Sequence, residues 1–215
     1  IPLSISYFFL KRFHSKAEKT LVPTKSMAEK LKDKGFKNIA IWSRGVDKNI
    51  FKPSKVKINN KRKKAVYFGR VSPEKNIEAF LNTNLNIEKI VIGDGPSLAK
   101  LKEEYPEVIF LGEKFGRELS KIVAESDVFV FPSKTDTFGI VIIEALACGV
   151  PVAAYPVTGP KDIIEHEVTG YLNDNLDRAI IGALKINRNN CIQESMKYSW
   201  ENCSKQFETS LSLIT

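Results

Sequence analysis

The chain is poor in the residues that build metal centres and covalent staples. Its 215 residues hold three cysteines, Cys148, Cys191 and Cys203, and two histidines. Three irregularly spaced thiols supply neither a disulfide framework nor a zinc set, and they read as buried or half-exposed thiols of a reducing cytoplasm. His14 falls in a basic helix and His166 in a surface loop, each without metal-ligand company, so no metal is expected. No apolar run reaches the roughly 20 residues that cross a bilayer. The most apolar opening, residues 1–10, stops at Lys11, Arg12 and His14. Its rival reading as a signal-peptide core fails because no small-residue cleavage site follows. The start at Ile1 instead reads as a cut edge. Internal repeats and low-complexity tracts are also missing.

Acidic residues are scarce in the first portion only. Residues 1–64 carry 18 Lys plus Arg against 4 Asp plus Glu, a balance of +14, whereas residues 65–215 carry 15 against 21, a balance of −6. A portion this basic suits nucleic acid, an anionic membrane surface or an acidic acceptor, and equally suits a solvated lysine-rich face. What remains is the composition of an ordinary globular protein, 43% hydrophobic and 27% charged.

From residue 65 onward short apolar runs alternate with amphipathic stretches. Strands are expected at residues 65–68, 89–92, 108–111, 128–131 and 151–154, with helices near 74–81, 97–104, 116–125 and 138–148. Strands apolar on both faces and separated by helices predict an α/β fold with a doubly wound parallel sheet, whose ligands bind at the carboxyl ends of the strands. Upstream, residues 20–23 and 39–42 read as strands flanking a helix at 26–34 that Gly35 closes, followed by a turn through residues 44–47. The polar stretch 52–64 suits an interdomain linker, with a boundary near residue 58. Residues 190–214 read as one or two closing helices.

The strongest signal is VFVFPSKTDTFGIVIIEALACGVPVAA at residues 128–154. A strand ends at Pro132, a polar loop carries Asp136, and a helix is expected to open at about Phe138 and Gly139 with Glu144 inside it. Eight residues of separation put the two acids on the order of 12 Å apart along a helix axis, too far for a glycosidase acid/base pair. Two such carboxylates suit a long ligand with a hydroxyl pair at each end, and the helix N-terminus between them suits its anionic middle. Asp136 also suits a plain helix cap. Glu144, embedded in IVIIEALA, needs a partner. A second loop, GRVSPEKN at 69–76, brings Gly69, Arg70 and Lys75 to the end of the first strand of the larger domain, where the two cations can converge on a diphosphate or stand as surface charges. A third, IGDGP at 92–96, carries Gly93 and Gly95, which admit either a close ligand or a tight turn.

Taken together, GRVSPEKN, IGDGP and the 128–154 segment resemble the donor-site motifs of the retaining family 4 glycosyltransferases of the GT-B fold. The likeness is greatest to the branch of sulfoquinovosyl, glucosyl and mannosyl transferases that act on lipids. SRGVDKNIF at 43–51 and PVTGPKDII at 156–164 extend the resemblance. It implies that Arg70 and Lys75 hold the donor diphosphate, that Glu144 holds the ribose, and that Asp136, where most members have Glu, contacts the sugar. Phe138 and Gly139 would offer backbone N–H groups, and Gly69, Gly93 and Gly95 would line the donor site.

The resemblance also implies a domain plan. Residues 1–57 would be the end of an acceptor-binding domain plus linker, and residues 58–215 the nucleotide-sugar-binding domain with its closing helices. The partners implied are a nucleotide-sugar donor, with UDP-glucose and GDP-mannose both open, and a lipid or glycan acceptor, with no metal, no cofactor and no nucleic acid. A cytoplasmic enzyme, peripheral on the inner face of a membrane, would result. The opening helix would lie on that membrane or pack against the rest of the acceptor domain. With most of that domain missing, the chain is expected to bind donor weakly and to transfer slowly or not at all. A GT-B epimerase and a non-catalytic binding module or gene remnant are the alternatives.

Overall fold

Alternation of apolar residues decides the architecture of the larger domain. In a computed structural model of the chain, which describes residues 3–54 and 61–211, six strands form one parallel sheet: β3 (Lys64–Phe68), β4 (Glu88–Ile92), β5 (Ile109–Phe110), β6 (Val128–Phe131), β7 (Val152–Ala154) and β8 (Gly170–Leu172). Their spatial order is β5-β4-β3-β6-β7-β8. Successive side chains go to opposite faces. Thus Val66, Phe68, Phe129 and Phe131 join one buried cluster, while Ala65, Tyr67, Val128 and Val130 join another. The first cluster is roofed by α5 (Gly116–Ala124), α6 (Ile140–Ala147) and α9 (Arg188–Ser195). The second is roofed by α3 (Ile77–Leu81), α4 (Leu98–Glu104) and α8 (Leu176–Ala183). The short α7 (Pro160–Ile163) follows β7.

The expected α/β doubly wound sheet is therefore present, with several local differences. A sixth strand, β8, lies beyond the five expected; at three residues, it is too short to carry a visible period. The helix expected over 74–81 is split: residues Pro73–Lys75 form a 3-10 turn, Asn76 turns left-handed at φ 54°, and α3 begins at Ile77. Asn76 Nδ2 donates to the Pro132 carbonyl at 3.0 Å, so a bond to the neighbouring loop holds the break. Likewise α6 starts at Ile140 rather than near residue 138, because Gly139 takes φ 91° as its cap.

The first portion supplies α1 (Leu3–His14), β1 (Thr20–Val22), α2 (Lys25–Asp33) and β2 (Ile39–Ile41), with β1 and β2 paired in parallel. Thr24 caps α2 by accepting from the Met27 N–H. Helix α1 presents Ile5, Phe8, Phe9, Leu10 and Phe13 as exposed apolar residues. The proposed boundary near residue 58, and the residues at Ile1 and Ile214, lie outside the described residues. Residues 42–51 and the end of the chain pack across one another. Val46 and Phe51 bury themselves in the first core cluster of the larger domain. In return α10 (Trp200–Glu208) and the turn just before it pack on residues 42–46: Trp42 meets Phe207 at 5.2 Å between ring centres, Gln206 Oε1 accepts from the Ser43 N–H, and the Val46 N–H donates to the Tyr198 carbonyl.

All three cysteines are buried free thiols. Burial pushes the Cys148 thiol up to about 11 and the Cys191 thiol up to about 12, so neither ionises near neutrality. His166 Nδ1 accepts from the Leu172 N–H and its ring stacks beside Tyr171 at 4.5 Å, a structural role at the β8 edge.

Candidate functional site

The strand order reverses between β3 and β6, so the loops leaving their carboxyl ends diverge and open a crevice between them. Loop 69–76 and loop 132–139 form its two walls. Three contacts fix them. Tyr67 Oη donates to the Arg70 carbonyl at 2.7 Å, Asn76 bonds the Pro132 carbonyl, and Lys75 Nζ pairs with Asp136 Oδ1 at 2.7 Å. The buried Tyr67 phenol is held far above its ordinary range by burial, then by the nearby charges of Asp136 and Glu74, so it stays a donor.

Two cavities adjoin at this crevice. One, of about 550 Å³, is lined by Gly69, Arg70, Gly93, Gly95, Lys114 and Glu144 among others. The other, of about 530 Å³, is lined by Arg44, Arg70, Lys75, Asp136, Phe138 and Gly139 among others. Phe68, Gly69, Arg70 and Val141 line both. All nine site residues expected from the sequence thus line one cavity or the other.

Their arrangement differs from the expected one in three ways. Asp136 and Glu144 do not share a helix edge. Asp136 stands on the loop ahead of α6, while Glu144 is the one acid within that helix, and each lines its own cavity. Lys75 is already engaged by Asp136, leaving Arg70 as the cation at the junction without an ion-pair partner among the described residues. The glycines of IGDGP are required first by the chain itself. A Cβ on Gly93 would collide with the Gly69 carbonyl, and one on Gly95 with that of Val71. The close approach is between two strand-end loops, and the cavity wall they form is its consequence.

The two acids sit in opposite electrostatic settings. Burial raises the Glu144 carboxyl from an ordinary 4.5 to about 7, with no cation bonded to it among the described residues. Asp136 has its Oδ1 on Lys75, while its Oδ2 is buried and accepts no hydrogen bond among the described residues. An unsatisfied buried acceptor costs about 1–3 kcal/mol, which a ligand hydroxyl would return. Helix α6 begins at the second cavity through Gly139, Ile140 and Val141, with no side-chain cap and no acid in its first turn. Its first N–H groups are therefore open to an anion. Among the described residues no group of three His, Cys, Asp or Glu side chains could hold a metal ion.

Sequence reasoning missed several lining residues, four of which stand out. Arg44 and Pro23 reach the second cavity from the first portion, and Lys114 and Phe115 reach the first. Phe115, 72% exposed immediately before α5, carried a readable signal, since an apolar ring in that position has no core to join. Arg44 carried none, because its approach depends on how two portions meet.

A parallel sheet with ligand-sized cavities at its switch point defines an α/β architecture that takes ligands at the carboxyl ends of its strands. The chain belongs to the family described as Glycosyl transferases group 1, which it matches over residues 48–194. It is 36% identical over 182 residues to a GDP-mannose-dependent alpha-mannosyltransferase of Corynebacterium glutamicum, covering 80% of this chain and 44% of the relative. It is 32% identical over 179 residues to the sulfoquinovosyl transferase SQD2 of Arabidopsis thaliana, covering 75% and 35%. The chain spans about half the length, or less, of the curated relatives it matches. In fold it resembles Anabaena HepE, solved in complex with UDP, at a TM-score of 0.81 and 20% identity over 97% of this chain and 68% of that one. The fold is that of the GT-B glycosyltransferases.

Proposed function

We propose that this chain is the donor-binding half of a retaining hexosyltransferase that moves a hexose from a nucleotide-sugar to a hydroxyl of a lipid or glycan. The observation that carries the reading is Arg70, without an ion-pair partner among the described residues, at the junction of two cavities that each hold a carboxylate. A nucleotide-sugar has that layout, with charge in the middle and hydroxyl pairs toward both ends. Its diphosphate lies against Arg70, Lys75, the first N–H groups of α6 and the N–H groups of Phe138 and Gly139 just ahead of that helix. Glu144 accepts from the ribose hydroxyls in the first cavity, whose glycine wall of Gly69, Gly93 and Gly95 lets the ligand lie close. Asp136 Oδ2 accepts from the sugar in the second.

In the transfer, the bond from the anomeric carbon to the diphosphate oxygen breaks and a bond from the same carbon to the acceptor oxygen forms on the same face. The acceptor proton passes to the departing phosphate oxygen. Arg70 and Lys75 take up the developing negative charge, the part a metal ion plays elsewhere, so no metal or cofactor is assigned. The likeness to a GDP-mannose-dependent mannosyltransferase favours GDP-mannose as donor, and that to a sulfoquinovosyl transferase favours a lipid acceptor. No helix of the described residues is long and apolar enough to cross a membrane. The exposed apolar face of α1 and the basic first portion support peripheral placement on the inner face of a membrane, in the cytoplasm.

Isothermal titration with GDP, UDP and ADP tests the reading. Saturable binding that Glu144→Ala and Arg70→Ala both weaken supports it; absence of binding by all three nucleotides would refute it in favour of a module with no donor site.

A further inference from the structure

We propose that Arg44 is an anion-holding residue of the second cavity, placed to bind a phosphate, sulfonate or carboxylate carried by the acceptor or by the transferred sugar. The inference rests on the nucleotide-sugar reading above and adds a recognition element from the other side of the cleft.

Charge matching within the cavity isolates this residue. Three cations line it, Arg44, Arg70 and Lys75, against two acids, Glu74 and Asp136. Lys75 pairs with Asp136. Glu74 accepts from Ser72 Oγ at 2.6 Å and has Arg70 and Lys75 near enough to lower its carboxyl. Arg70 lines both cavities and so meets a ligand at its middle. Arg44 lines only the second cavity, on the side of Pro23 from the first portion. It therefore does not line the cavity that holds Glu144, to which the ribose is assigned, and it reaches the second cavity from a different part of the chain than Arg70 and Lys75.

Its guanidinium is held in place without being neutralised. Arg44 Nη1 donates to the Trp42 carbonyl at 3.1 Å and the Ser43 carbonyl at 3.2 Å. The guanidinium carbon sits 5.0 Å from the Trp42 ring centre, and that ring packs on Phe207 of α10. These partners are neutral, and among the described residues no carboxylate pairs with Arg44. The planar fork keeps further N–H groups for an oxyanion, and because the stack already fixes its orientation, little conformational entropy remains to be lost on binding.

The test uses the 215-residue chain saturated with GDP or UDP, whichever binds, so that the Arg70 region is occupied, and then titrated with inorganic phosphate. Arg44→Gln is expected to weaken phosphate binding by about tenfold or more, as loss of a charge-assisted bond should. Its nucleotide affinity should stay within about twofold, and Arg44→Lys should recover part of the loss by keeping the charge. Repeating the titration with UDP-glucose or GDP-mannose in place of the nucleoside diphosphate separates the sources. Phosphate binding that persists beside a neutral hexose assigns the group to the acceptor, and phosphate excluded by the hexose assigns it to the sugar. Should Arg44→Gln fail to fold, the Arg44 Nε resonance of the isotope-labelled wild-type chain provides the readout, and it should shift as phosphate is added. Phosphate binding unchanged in Arg44→Gln, or an Nε resonance that does not move, would overturn the proposal. So would parallel loss of nucleotide and phosphate affinity, which would make Arg44 a diphosphate ligand. Failure of the nucleotide itself to bind would instead strike at the donor-site reading.

Discussion

The two carboxylates of the crevice show how differently a fold can treat the same chemical group. Glu144 sits on a helix whose other faces are apolar, and burial alone raises it to about 7. Asp136 sits on a loop, where Lys75 reaches it from the opposite wall at 2.7 Å. The first acid is left uncommitted near neutrality and the second is tied to a cation that also lines the second cavity. The contrast follows from location. A helix facing the sheet brings desolvation with it, while a strand-end loop meets whatever the neighbouring loop carries. Arg70, which lines both cavities, has no ion-pair partner among the described residues.

That position makes Arg70 the largest lever on the comparison. Arg70→Ala should weaken nucleoside diphosphate binding by about 12- to 160-fold, since a charge-assisted contact to phosphate is worth roughly 1.5–3 kcal/mol. Isothermal titration against the wild type checks this. A loss of less than about threefold would place the diphosphate elsewhere.

The next effect separates the two acids by pH. A sugar nucleotide has no phosphate that titrates between pH 6 and 8, so Glu144 dominates the change. At a pKa of about 7 it is roughly one-tenth ionised at pH 6 and nine-tenths at pH 8, and donor affinity should rise up to about tenfold over that span. Glu144→Gln should flatten the slope. Stability of the ligand-free chain should move the other way. The folded pKa lies above the ordinary 4.5, so the native state holds this proton more tightly than the unfolded chain. The corresponding stability is full below 4.5 and is lost as pH rises through about 7. Opposed slopes in titration and thermal melts are the signature; parallel slopes would mean Glu144 is not the group responsible.

Much of this was legible in the sequence because the sheet writes itself in alternation. Val66 and Phe68 on one face and Ala65 and Tyr67 on the other predict a strand buried on both sides, and the loops after such strands predict the crevice. The site residues could be named from those loops. Their pairings could not. Lys75 and Asp136 are 61 residues apart in sequence, and nothing local says that they meet. The left-handed Asn76 is set by a bond to Pro132 on another loop, and Arg44 lines the second cavity beside Trp42, whose ring packs on Phe207 of α10. Strand β8 gave too little pattern to find. Local periodicity reports elements, whereas long-range closure decides which charges share a cavity.

The Lys75–Asp136 pair offers a smaller and sharper test. A double-mutant cycle with Lys75→Met and Asp136→Asn, read out by thermal melts without ligand, should give a coupling of about 0.5–1 kcal/mol, since both side chains remain partly exposed, at 25% and 22%, and solvent screens the pair. With saturating nucleotide-sugar the coupling should shrink, because phosphate draws Lys75 away and a sugar hydroxyl replaces it at Asp136. A coupling that grows with ligand would mean the pair is a structural clamp and the sugar is held elsewhere.

The smallest expected effect is none. If Arg70 and Lys75 supply the positive charge for the departing diphosphate, donor binding should change by less than about twofold when EDTA is added, whereas a phosphate carried on a metal would lose affinity outright. The comparison with the arginine variant gives this result its meaning. An EDTA-insensitive wild type beside a severely weakened Arg70→Ala assigns the charge to the side chain, and an EDTA-sensitive wild type beside an unaffected Arg70→Ala would hand it to an ion.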